Sequence, residues 1–293
     1  DLSYLIQWIV LFFRGRKYAT LSFDLQRNDN SVKLLVAQAA PVLLSQATVE
    51  INQVVDRALL AGVGVGALTA VSYAVVLFQF VTTLIATPLS TVMFTELSEA
   101  GAKSDLVKIK YMLQSCYKFI FIACVPIIVT MFFCSFDIVS IVYGHGKYPL
   151  SSLHQSSIAL QMYGLCLLPV CIKSVLNKAY YSLNDTRRPM VMGLFEVMLK
   201  ISLSITLVKI FGIRGVVGST AIASIALILA MLIDFNHKSH KVLDASSLKG
   251  YWKIACSFLL LIVIMSFFSK IFIVNHFVNF VIKAALAFVI YFG

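Results

Sequence analysis

Successive apolar runs, each long enough to cross about 30 Å of hydrocarbon as a helix, follow one another along this chain with short polar segments between them. That pattern leaves few folds open. In lipid every backbone N–H and C=O must be bonded internally, and the runs are too long for barrel strands of roughly 10 residues, so the spans must be helices. Composition agrees. Of the 293 residues, 60% are hydrophobic and 13% are charged, against about 25% charged in soluble domains. The sequence predicts an all-α, polytopic transmembrane helix bundle.

One run is unusual. Residues 32–61 are apolar enough to span, yet carry Gln46, Glu50, Gln53 and Arg57 at spacings of four, three and four. Those spacings share one helical face. Asn52 and Asp56 form a neighbouring polar row. Charges at membrane depth are costly unless paired or turned to water, so this helix is expected to line a polar cavity. Glu50 and Arg57 lie two turns apart, roughly 10 Å along the axis. They can bridge through Gln53 or pair with other helices. A buried pair that merely fixes helix packing competes with the cavity reading.

Read in order, residues 1–13 look like the end of a truncated transmembrane helix, and 14–31 like a basic linker. Residues 32–235 are expected to form a six-helix lobe. Its helices are placed at 32–61 with a kink at Pro41, at 67–97 with an interruption at Pro88, and from the end of a charged loop (99–110) to about Cys134. A short apolar piece and the turn YGHGKYP lead to helices at 152–183, 189–210 and 216–235. Residues 236–250 read as a linker. Two further helices, 251–274 and 276 to the end, fill 251–293. The chain opens at Asp1 inside one apolar run and stops at Gly293 inside another, which reads as a fragment.

Loop charges orient this bundle. Arg14, Arg16, Lys17, Arg27, Lys33, Lys103, Lys108, Lys110, Lys178, Arg187, Arg188, Lys238, Lys241, Lys249 and Lys253 fall on one side, and Lys147, Lys209, Arg214 and Lys270 on the other. Fifteen against four is a strong positive-inside bias, placing linkers 14–31 and 236–250 in the cytoplasm. It also explains the net charge of +11 through topology and anionic lipid headgroups, so no nucleic-acid partner is expected.

Further polar residues interrupt the spans. Glu196 and Lys200 stand at i,i+4 with Glu first, the better order for a helix pair, so mutual neutralisation rivals a cavity role. Lys173 is mid-span without an acid at helical spacing and is expected to face the cavity. Together Arg57, Lys173 and Lys200 would suit an anion such as a pyrophosphate. His237 and His240 form HxxH without accompanying ligands, a poor metal site. The six cysteines lie in or beside apolar runs without CxxC spacing and read as small buried hydrophobes. No Gly-rich phosphate loop, GxSxG or HExxH is present. Hence no cofactor, no metal and no catalysis are expected.

The segment KSVLNKAYYSLNDTRRP, from Lys173 to Pro189, resembles a motif of the lipid II flippase family, MurJ/MviN. The motif has a lysine, an aromatic–Tyr pair and Asp-Thr-x-x-Pro. It matches here at Tyr180, Tyr181, Asp185, Thr186 and Pro189. INQVVDRALLAGVGVGALTAVSYA, TPLSTVMFTELSEAGAKSD and SIVYGHGKYPLSS resemble three more family stretches, in order and in spacing. The resemblance covers nearly the whole chain. It implies the C-terminal lobe of the multidrug/oligosaccharidyl-lipid/polysaccharide exporter superfamily: two six-helix lobes around a central cavity, working by alternating access. Two extra C-terminal helices would border a lipid-facing groove.

By that resemblance the substrate is the undecaprenyl-pyrophosphate-linked peptidoglycan precursor, and the membrane is the bacterial cytoplasmic (inner) membrane. The implied partners are membrane lipids, the missing N-terminal lobe of the same chain and other cell-wall synthesis proteins. Glu50, Gln53, Arg57, Lys173, Glu196 and Lys200 are the expected cavity residues. One departure stands out. Family members often carry Asp-Arg or Asn-Arg after the Tyr-Ala of the next helix, where this chain has Val75 and Val76 after Tyr73 and Ala74. Lys200 falls near a position where relatives tend to carry a neutral polar residue, and its ammonium would replace a bound coupling cation. The alternatives are a flippase for another polyprenyl-linked glycan (O-antigen or capsule) and a drug exporter of the superfamily. A membrane-embedded glycosyltransferase and a silent scaffold fit less well.

Overall fold

The computed structural model describes residues 2–15, 43, 47, 50–103, 105–145, 148–238, 262–263, 266 and 276–292. Every regular element among them is helical. Helix α1, Leu2–Gly15, belongs to a first compact unit, residues 1–40. Trp8 stacks on Phe12 there, with ring centroids 5.4 Å apart. The elements below all belong to the second unit, residues 41–293. The two linkers lie outside the described residues, apart from the first residues of each (14–15 in α1, and 236–238), and so do most of 32–49 and of the span predicted at 251–274.

Helix α2 covers residues 50–61. It is followed by α3 (Ala67–Ala102), α4 (Leu106–Phe133), α5 (Ser135–Tyr143), α6 (Leu150–Ser182), α7 (Arg187–Phe211), α8 (Ile213–Lys238) and α9 (His276–Phe292). Among the described residues, α3, α4, α6, α7 and α8 are long and apolar enough to cross a membrane. The turn from α2 to α3 ends on Gly66 at φ 84°, a left-handed conformation that suits glycine.

Two expectations about this part of the chain are corrected. Pro88 does not interrupt α3, and the helix runs on to Ala102 while α4 already starts at Leu106, so both ends of the loop placed at 99–110 are helical. Pro88 lacks the N–H that would bond the Leu84 carbonyl, a loss that membrane helices tolerate; the Ser90 and Thr91 hydroxyls donate to the Thr87 carbonyl in the same turn, at 3.1 and 2.8 Å. Local bonds set the helix ends. Lys103 pairs with Glu99 at 2.7 Å across the last turn. Asp105 then caps α4 by accepting from the Lys108 N–H. At the other end of the lobe, α8 starts at Ile213 rather than 216, because Gly212 alone (φ 55°) separates it from α7.

Helix α6 is the hub, packing on α3, α4, α5, α7 and α8. Its sequence allows this. Ser156, Ser157, Ala159, Gly164, Cys166, Cys171 and Ala179 are small and buried, and small residues let helix backbones approach in lipid, where no hydrophobic gain drives association. At Gly164 an added Cβ would sit 3.3 Å from the Met131 Cβ of α4. At Gly101 of α3 it would fall on the Ser182 carbonyl of α6. Leu97, Leu113, Ile120, Leu160, Leu167 and Leu176 fill the core around this hub. Phe80, Leu84, Phe119, Leu229 and Ile233 point outward, as a lipid-facing surface requires. Hydroxyls of Ser72, Thr82, Thr130, Ser202 and Thr206 bond back to carbonyls four residues earlier, which hides them from lipid. The cysteines at 116, 124, 134, 166 and 171 are buried free thiols.

Candidate substrate cavity

A polar cavity of ≈ 420 Å³ opens between α2, α3, α6, α7 and α8. Helix α2 contributes Asn52, Gln53, Asp56 and Arg57, and α3 contributes Ser72, Val75, Val76 and Gln79. Tyr163, Lys200 and Thr220 complete its polar wall. The polar spacing of α2 accounts for its share, since residues three and four apart stack on one side of the helix.

Lys200 is 5% exposed. Its ammonium reaches across from α7 to Asp56 Oδ2 at 2.6 Å. A buried charge persists only with a partner, and here the partner is 144 residues away in sequence. Among the described residues, the other Asp56 oxygen, Oδ1, is buried without a hydrogen-bond donor, as is Asn52 Oδ1. Arg57, the next residue, is exposed and makes no hydrogen bond or ion pair among the described residues.

Glu196, one turn before Lys200, does not pair with it. Its Oε2 accepts from Lys173 of α6 at 2.5 Å, and its Oε1 accepts from the Ser224 hydroxyl of α8 at 3.0 Å. The i,i+4 neutralisation open to the sequence is therefore absent. Both members are buried on the inner face of α7, where each finds a partner on a different helix. Of the six residues expected in the cavity, Gln53, Arg57 and Lys200 line it. Glu50 is exposed nearly two turns before Arg57. Lys173 and Glu196 are joined to one another outside the lining, so the three-cation cluster of Arg57, Lys173 and Lys200 does not assemble around one space.

The Tyr180–Pro189 segment is a joint between α6 and α7. Asn184 adopts φ 57°, a conformation Asn tolerates. The Asp185 N–H returns to the Tyr180 carbonyl at 3.0 Å and the Asn184 N–H to Tyr181 at 3.0 Å. This is a Schellman closure of α6. Thr186 offers α7 no side-chain cap. Asp185 does so instead, accepting from the Arg188 N–H at 3.3 Å, and Pro189 sits in the first turn, where a missing N–H costs nothing. Tyr181 is half-buried beside it. Tyr180 is fully buried and donates to Asp234 of α8 at 2.8 Å, and Arg188 grips the same carboxylate at 2.6 and 2.7 Å.

Sequence reasoning missed a third polar cluster. Asp137 of α5 meets Asn279 and Lys283 of α9, all three buried. The available signal was a lysine inside an apolar helix and an aspartate inside a short apolar piece, each anomalous in lipid. His237 is exposed at the end of α8 and His240 lies outside the described residues. No cluster of metal-ligating side chains occurs among the described residues.

Membrane-length helices bound to one another by buried cross-helix ion pairs, around a polar cavity, define a polytopic helical membrane protein with an internal polar site. Its relatives are specific. The chain belongs to the lipid II flippase MurJ family, whose model matches residues 2–287. It is 23% identical over 236 residues to the probable lipid II flippase MurJ of Rickettsia prowazekii (strain Madrid E), covering 80% of this chain and 46% of that protein. It is 22% identical over 240 residues to the probable lipid II flippase MurJ of Rhizobium tropici, covering 81% and 45%. The chain thus spans about half the length of these curated relatives.

Two solved structures share the fold. One is a lipid II flippase MurJ in an inward closed conformation, with a TM-score of 0.76 at 24% identity, covering 98% of this chain and 59% of that one. The other is a transporter of the MOP superfamily from Pyrococcus furiosus, described as having a binding pocket of reverse polarity. It has a TM-score of 0.55 at 16% identity, covering 80% and 53%.

Proposed function

We propose that this chain is the C-terminal part of a flippase that moves the undecaprenyl-pyrophosphate-linked peptidoglycan precursor across the bacterial cytoplasmic membrane by alternating access. Residues 32–235 act as one lobe, linkers 14–31 and 236–250 face the cytoplasm, and 251–293 contribute two accessory helices. The protein carries its substrate without chemically changing it. An N-terminal lobe closes the cavity from the other side, and membrane lipids hold the isoprenoid tail. Family membership supports the substrate class. The observation that carries the reading is the cavity wall itself: Arg57 unpaired among the described residues, beside Lys200 and a row of amides and hydroxyls. A pyrophosphate needs the cations, and a glycan needs the neutral polar groups.

Arg57 is the primary anion contact, with Gln53 beside it. Glu50 stands nearly two turns before Arg57 on the same helix, and the Lys173–Glu196 pair fixes α6 against α7. A flippase for a different polyprenyl-linked glycan is the second reading. It is favoured by one feature, the apolar Val75 and Val76 in the cavity wall, where the family resemblance implies an arginine.

The test uses bacteria depleted of their own lipid II flippase. Precursor reaching the outer face is quantified with the full-length protein and with Arg57→Ala at equal expression. Restored exposure with the first and loss with the second is the expected result. Failure of the well-expressed wild type overturns the substrate assignment. Rescue by both removes Arg57 from the site.

A further inference from the structure

Besides Asp137, three acidic side chains among the described residues of this lobe pair across helices, and they are not equally held. Glu196 has both oxygens occupied, by Lys173 and Ser224. Asp234 is held by Tyr180 and by two contacts from Arg188. Asp56 has Lys200 on Oδ2 and, among the described residues, nothing on Oδ1. The weakly tethered carboxylate is also the one in the cavity wall.

We propose that Asp56 is a resident stand-in for the anion, and that a pyrophosphate head entering the cavity displaces it from Lys200. Lys200 is then a binding residue in the loaded state and a structural one in the empty state. This rests on the flippase reading above. Three features support the exchange. Lys200 touches the cavity although nearly all of its surface is buried, so its ammonium is within reach of an occupant after a rotation of its flexible stem. Arg57 follows Asp56 on the same helix, and a pyrophosphate has enough acceptor oxygens to bridge Arg57 and Lys200, whereas one carboxylate held through a single oxygen has not. The displaced carboxylate is not stranded. Gln53 and Gln79 line the same space and supply amide N–H donors, avoiding the penalty for an unpaired buried charge.

Such an exchange discriminates by charge. A neutral head cannot compete for Lys200, so the cavity remains latched against it. An anionic head opens the α2–α7 pair as it binds, tying occupancy to a change in how two helices are joined.

The test uses the full-length protein in nanodiscs with farnesyl pyrophosphate as probe. Asp56→Asn removes the competitor and should bind the probe about tenfold tighter, and Lys200→Gln about tenfold weaker, each within the range of one charge-assisted contact. A thermal double-mutant cycle across Asp56 and Lys200 gives the decisive readout. Their coupling should be present without probe and lost at saturation. A static structural pair would keep its coupling, and that result overturns the proposal, as does unchanged or weaker binding by Asp56→Asn. If a single variant misfolds, the apolar double Asp56→Leu/Lys200→Met carries the test. It should melt near the wild type and bind as weakly as Lys200→Gln, and wild-type affinity in it overturns the proposal. Wild type that binds the probe but moves no peptidoglycan precursor sinks the substrate reading and leaves the exchange standing. Wild type that does not bind the probe sinks both.

Discussion

Asn279 of α9 donates a 2.9 Å hydrogen bond to Asp137 of α5, and neither side chain is more than 5% exposed. Lys283, one turn further along α9, brings its ammonium to 3.6 Å from the same carboxylate oxygen. Around them Val129, Cys134 and Ala287 form a small apolar cluster. The C-terminal helix is thus held to the rest of the lobe by a polar contact that lipid cannot replace.

Lys283→Leu should therefore destabilise the protein by about 3 kcal/mol, because it removes the ammonium that faces the buried Asp137 carboxylate. The triple replacement Asp137→Leu/Asn279→Leu/Lys283→Leu should recover most of that loss. Thermal melting in detergent reads both. If the single variant melts like the wild type, the contact is not a latch.

Tyr180→Phe keeps the ring in a fully buried site, packed edge-on to Phe235 at 5.2 Å. It removes the hydroxyl that bonds Asp234 and the Met231 carbonyl. A loss of about 1–2 kcal/mol is expected. The same assay should show Tyr181→Phe to be milder, since Tyr181 is half-buried.

Gly101→Val should be among the most damaging single changes at the α3–α6 contact. The new side chain meets the Ser182 backbone, which cannot rotate away. Overpacking of this kind costs about 1–3 kcal/mol. It should also loosen the α3–α6 contact, read as faster cysteine labelling at Ser182→Cys. Gly193→Ala has open space around its Cβ and should leave stability unchanged or slightly raised.

Lys173→Ala leaves Glu196 with Ser224 alone and should cost about 3 kcal/mol, whereas Lys173→Met with Glu196→Leu should be close to neutral. If the apolar pair still supports precursor flipping in the depletion strain, the two residues serve packing. If it folds but does not flip, Lys173 or Glu196 meets substrate at another stage of the cycle.

Much of this architecture is written locally, and the partnerships are not. Run length and hydropathy locate the helices, because burial in lipid demands closed backbone bonding whatever the neighbours. The polar face of α2 is visible from spacing alone. Pro88 misleads because a proline rule learned from soluble helices ignores how readily a membrane helix absorbs one missing backbone bond. Glu196 and Lys200 mislead for a related reason: the i,i+4 rule describes isolated helices, and burial on the inner face of α7 offers each residue a closer partner from another element. Asp56–Lys200 and Asp137–Lys283 join positions 144 and 146 residues apart, a separation at which a single sequence carries no pairing signal.

The turn at Gly212 has a mechanical corollary. Gly215 lies so close to the Leu207 carbonyl that no Cβ fits between the helices, and Ser204 and Ser219 share a buried hydrogen bond further along. Helices α7 and α8 are thereby riveted at two heights into a single lever. A lever of this kind transmits torque along its length but does not scissor. Any movement of the α7 backbone relative to α2 must carry Thr220 and Ser224 of α8 with it, and the compliance needed for that stroke has to reside beyond the lever's ends.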